Sequence, residues 1–119
     1  MVVNTTQPDQ DTWVIGFSGK LNFESRNAFH GGMAKVEQTS PRHIILDFTD
    51  LTYIDSAGLG LLTLAHRKLS AISSRLVIAN PQSAVRDILL LTNIDKMFSI
   101  VDSVAVPSPR HKAPVFPHS

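Results

Sequence analysis

The chain contains no cysteine, which excludes disulfide scaffolds, thiolate metal sites and cysteine nucleophiles at once. It also lacks an excess of either charge: Lys and Arg total 11 against 10 Asp and Glu. Gripping a phosphate backbone needs a basic field, so nucleic acid is not an expected partner. No apolar run approaches the ~20 residues of a membrane helix. The first residues, Met1 to Asp9, lack the basic and apolar regions of a secretion signal. No membrane insertion and a cytoplasmic location are the expectation. Phosphate-cradling glycine loops are missing too, since Gly16 and Gly19 do not lead into a GK[ST] sequence.

What is present is 119 residues, 43% hydrophobic and 18% charged, the size and composition of one globular domain. Four of the seven prolines fall in residues 107–119. The expected organisation is a domain over residues 1–106 and a proline-rich, disordered tail over 107–119.

Two short strands are expected at residues 2–6 and 12–18, joined by a turn through Gln7-Pro8-Asp9-Gln10-Asp11. Trp13, Ile15 and Phe17 alternate with Val14 and Gly16 at the period of a strand, and Gly19 is expected to close it. Asn22 suits the N-cap of a helix running to about Thr39, with Phe29, Met33 and Val36 on one face. The pair Gly31-Gly32 should weaken that helix by roughly 1 kcal/mol per glycine.

The apolar run His43 to Phe48 reads as a central strand covered on both faces, followed by a loop over Thr49–Asp55. Ser56 opens a helix to about Ile72, whose stripe of Gly58, Leu61, Leu62, Ala65, Leu69 and Ile72 faces the core. Arg75 to Ala79 is a second buried strand. Asn80-Pro81 signals a helix start, with Val85, Ile88 and Leu89 as its apolar face. Asn93 should end that helix in the left-handed region, and Met97 to Val101 supplies a last strand. Alternating strands and helices imply parallel pairing and right-handed crossovers. The fold class is therefore α/β: a mixed, mostly parallel sheet of four to five strands, an N-terminal hairpin first, with helices packed against it.

The five histidines, His30, His43, His66, His111 and His118, show no metal-ligand spacing and are expected as surface or half-buried structural residues. No metal or cofactor is expected. Asp47, Asp50 and Asp55 around the strand-to-helix junction are able to hold Mg²⁺ in principle. Caps and turns explain the same acids, and for Asp47 and Asp50 that is the favoured reading. Tyr53 is a partner anchor or a packed loop aromatic. Ser56, taken alone, reads as a helix cap. The nucleophile elbow G-x-S-x-G is absent, because Asp55 and Ala57 flank the serine. A hydroxyl at a helix amino end nevertheless tolerates a phosphate, and the small Ala57 and Gly58 would let another protein approach closely.

The stretch Asp47 to Leu62, with its core Asp55-Ser56-Ala57-Gly58-Leu59-Gly60, resembles the signature of STAS domains, the anti-sigma factor antagonists of bacteria. Gly19 to Ser25 is similar to the family's approach to its first helix, and Leu91 to Ser103 to its closing segment. Together these cover about residues 10–104. The resemblance implies that Ser56 is a phosphorylation target and that the domain itself performs no catalysis. Unphosphorylated, it would bind an anti-sigma factor that is often a serine protein kinase; a PP2C-type phosphatase would restore it after phosphorylation. Asn22, Tyr53, Asp55, Ala57, Gly58 and Leu59 are the candidate partner-binding residues, on a monomer or weak dimer.

Two departures stand out. The family usually has aspartate where Asn22 stands, and it ends in an amphipathic helix that Pro107 and Pro109 should truncate or abolish. Competing readings are an accessory subunit of a lipid-transport ATPase complex, a stress-signalling scaffold, or, less favoured, a small Mg-dependent hydrolase.

Overall fold

Strands β1 (Val2–Asp9) and β2 (Thr12–Leu21) form an antiparallel hairpin. The expected five-residue turn is shorter than the sequence suggests, because Gln7 to Asp9 still belong to β1. A bulge between Thr6 and Asp9 absorbs the proline, as an edge strand permits. The Asp9 carboxylate then accepts the Asp11 N–H at 2.8 Å and fixes the tight corner. The computed structural model describes residues 1–102; the expected domain end at residue 106, the terminal-helix truncation and the tail over 107–119 lie outside them.

From β2 the chain enters a 3₁₀ turn (Phe23–Ser25) and helix α1 (Arg26–Glu37). Helix α1 runs unbroken through Gly31-Gly32. A Cβ on Gly32 would lie 2.6 Å from Val3 Cγ1, so this glycine lets α1 approach β1. Strand β3 (His43–Ile54) leads to α2 (Ser56–Ala71), β4 (Arg75–Ala79), α3 (Ser83–Leu91), a 3₁₀ turn (Ile94–Lys96) and β5 (Ser99–Val101).

The sheet order is β1-β2-β3-β4-β5, and every pair except the first is parallel. This is the mixed α/β architecture the alternation of elements implies. Phe29, Met33 and Val36 of α1, Leu61, Leu62, Ala65 and Leu69 of α2, and Val85 and Leu89 of α3 enter one core with β2, β3 and β4. Phe17 stands at its centre, 5.6 Å from the Phe29 ring and 5.8 Å from the Phe48 ring. Val14, Ile45 and Ala79 form a smaller buried cluster. With Ile44, Ile45 and Leu46 all buried, β3 is covered on both faces.

Further elements differ from the sequence expectation. The segment Thr49–Asp55 is strand rather than loop as far as Ile54, because β2 extends past Gly19 and pairs with it: Ser18 with Asp50, Lys20 with Tyr53, Leu21 with Ile54. Asn80 caps no helix; it adopts φ 55, its N–H donates to Val101 O at 2.7 Å, and its side-chain amide donates to Thr49 Oγ1. Helix α3 therefore starts only at Ser83. Ile72, expected on the core stripe, is the C-cap residue of α2 and 38% exposed. Asn93 adopts φ 61, the left-handed position expected after α3.

His43, half-buried at the start of β3, carries a pH signature. Burial first, then the Arg75 charge, holds its pKa below the ordinary 6.5, with Asp11 and Asp9 opposing. The folded state thus favours the neutral ring. Its contribution to stability is complete above the unfolded value and falls away as pH drops through the folded value. The thermal midpoint should fall between pH 7 and 5, and His43→Gln should flatten part of that decline. An unchanged pH profile in that variant contradicts the assignment.

Candidate functional site

Strands β2 and β3 run parallel and end in register, Leu21 opposite Ile54. The next residue of each chain segment, Asn22 and Asp55, is extended and starts a helical turn. Two helical amino ends therefore sit at neighbouring strand ends, the carboxyl edge where parallel sheets carry their sites. At the first, Asn22 Oδ1 accepts the Ser25 N–H at 3.1 Å, and Ser25 Oγ accepts the Asn22 N–H at 3.0 Å. This is a reciprocal capping box. Asparagine and aspartate cap about equally well, so Asn22 keeps this geometry with one negative charge fewer than the aspartate usual in the resembling family.

At the second, the cap is Asp55, whose Oδ1 accepts the Gly58 N–H at 3.0 Å. That corrects the reading of Ser56 as a cap: Ser56 is the first residue of α2 and exposed. The helix dipole places partial positive charge at that position.

The other candidates divide into surface and packing. Tyr53 is 44% exposed on β3 rather than in a loop, with Lys20 Nζ 5.8 Å from its ring centroid. Ala57 and Leu59 are half-buried, and Leu59 packs onto the core. Gly58, expected to help a partner approach, is buried instead. A Cβ there would stand 2.3 Å from Leu21 O and 2.9 Å from Ile54 Cγ1. Its smallness is consumed inside the molecule, seating α2 against the end of β2. Gly58→Ala should push α2 off that carbonyl and destabilise by about 1–3 kcal/mol, read as a lower denaturation midpoint; a wild-type midpoint would refute this packing role.

The three acids do not converge on a metal. Asp47 Oδ1 accepts from the Thr49 N–H and hydroxyl at 3.0 and 2.6 Å, and Asp55 is engaged as the cap. Among the described residues, no three His, Cys, Asp or Glu side chains gather closely enough to hold a metal ion. Nor is any described helix long and apolar enough to cross a membrane.

Sequence reasoning missed Phe23 and Arg26. Phe23 is 60% exposed immediately after Asn22. The Arg26 guanidinium lies 3.7 Å from its ring centroid and donates to Phe23 O at 2.8 Å. An exposed aromatic held by a stacked arginine is a candidate contact surface for a partner. The available signal was that Phe23 falls off the Phe29, Met33 and Val36 stripe.

Comparison with known proteins places this geometry. The family model described as the STAS domain matches residues 3–106. A STAS-domain containing protein of Pseudomonas aeruginosa is 29% identical over 92 residues, covering 77% of this chain and 90% of that protein. An anti-sigma factor antagonist from Mycobacterium paratuberculosis superposes with a TM-score of 0.75 at 21% identity, over 87% of this chain and 88% of its own. The anti-sigma factor antagonist SpoIIAA in its unphosphorylated form gives a TM-score of 0.67 at 24% identity, over 83% and 87% of the two chains. At those identities the two structures establish the fold. Because the family model spans most of the sequence and the fold agrees with it, the chain belongs to the STAS domain family.

Proposed function

We propose that this chain is an anti-sigma factor antagonist, a binding module switched by phosphorylation of Ser56. The observation that carries the reading is the exposed Ser56 at the start of α2, with its capping duty taken by Asp55. Unphosphorylated, the surface around Asn22, Tyr53, Asp55, Ala57 and Leu59, extended by Phe23 and Arg26, binds an anti-sigma factor that is also a serine kinase. A PP2C-type phosphatase reverses the modification. The setting is cytoplasmic, and the chain acts as a substrate and ligand of these partners rather than as an enzyme.

Electrostatics supports the switch. A phosphoserine adds about −1.5 to −2 charges. In the free domain that charge lies in water at the positive end of α2 and costs little. In a packed interface it must be desolvated beside Asp55, which is already negative. No refolding is required; the alternatives are bound and free protein.

The test is intact-mass analysis after incubation with the kinase and ATP. One added phosphate on the wild type and none on Ser56→Ala is the expected result. Phosphate on another residue, or co-purification with a transporter ATPase instead of a kinase, would overturn the reading.

A further inference from the structure

A groove of about 760 Å³ lies away from the switch, lined by neither Ser56 nor Asn22. It exists because β5 is short. Within the described chain, β5 pairs with β4 only at Val77–Ala79, so no strand of the sheet flanks Arg75 and Leu76 on that side. The 3₁₀ turn Ile94–Lys96 carries the chain past this gap, and the far half of α2 forms the opposite wall.

The walls combine two chemistries. Leu76, Leu90, Met97, Phe98 and Ile100 provide an apolar lining, although Leu90 is 49% exposed. Arg75, Arg86, Lys96 and His66 also line the groove, against Asp95 as its acid. Two of the polar groups are held in place. The Arg86 guanidinium is paired with Asp102 through one nitrogen, leaving further donors of its planar fork. The His66 ring packs edge-on to the buried Phe98, 5.4 Å between centroids. A cleft of this volume, joining apolar side chains to a few fixed polar and charged groups, has the make-up of a small-molecule site.

We propose that this groove binds a small amphipathic anion, an apolar body bearing one phosphate or carboxylate head. The apolar side chains favour a ligand with an apolar body over a bare inorganic anion, and Lys96 with the remaining donors of Arg86, against Asp95, favours an anionic head over a neutral one. Because the lining residues and Ser56 do not overlap, this site stands or falls independently of the antagonist reading.

The test is titration of the full chain with dodecyl phosphate and with dodecanoate below their micellar ranges, followed by calorimetry and amide NMR. Dodecyl maltoside and inorganic phosphate are the comparison probes. Saturable binding of either anion, at least about tenfold tighter than both comparison probes, is expected. Amide shifts should centre on Met97 to Ile100, and Lys96→Glu and Leu90→Ser, both at exposed positions, should each weaken binding about tenfold. Whichever anion binds tighter identifies the head group. Absence of binding, equal binding of the maltoside, or indifference to Lys96→Glu in a folded protein would overturn the proposal.

Discussion

Phosphorylation of Ser56 is expected to weaken binding of the anti-sigma factor about 10²–10³-fold while leaving the fold unchanged. A mismatch of roughly 3–4 kcal/mol for desolvating a dianion beside Asp55 produces that factor. Ser56→Asp should also bind poorly and remain folded, with a smaller loss because it adds one charge. Ser56→Ala should bind regardless of kinase activity. The measurement is calorimetric affinity of each form for the partner, alongside its denaturation midpoint. If Ser56→Ala loses binding while folded, the hydroxyl is itself a contact and electrostatic exclusion is the wrong account.

Leu46→Ala and Leu62→Ala should have the second large effect, through a different quantity. Both side chains are buried completely in the main core, one on β3 and one on α2. Each truncation should lower stability by about 2–5 kcal/mol, a large share of the 5–15 kcal/mol typical of a domain. Partner affinity of the folded fraction should not change. Urea denaturation separates this from the Ser56 series, in which affinity moves and stability does not. A midpoint within error of wild type for either leucine variant would contradict the core assignment.

Much of the fold was legible because its signals are local. The apolar run from His43 marked a strand covered on both faces, and Ile44, Ile45 and Leu46 are buried accordingly. Helical spacing picked out Leu61, Leu62, Ala65 and Leu69, all of which enter the core. Asn93 advertised a left-handed position and adopts one. The errors share a cause. Thr49 to Ile54 looks like a loop by composition, but hydrogen bonds to the extended end of β2 make it strand. Asn80 looks like a cap, yet its contacts with Thr49 and Val101, both distant in sequence, fix its conformation.

The amino-acid order alone determined the architecture, the position of Ser56 at the start of a helix, and the family resemblance. Those depend on periodicity and on runs of neighbouring residues. Only the tertiary structure decided that Asp55 rather than Ser56 is the cap, that Gly58 is spent on packing against Leu21, and that Phe23 stands in solvent under Arg26. A residue's type limits what it is able to do, but its surroundings, brought together by strands far apart in the chain, settle which of those roles it takes.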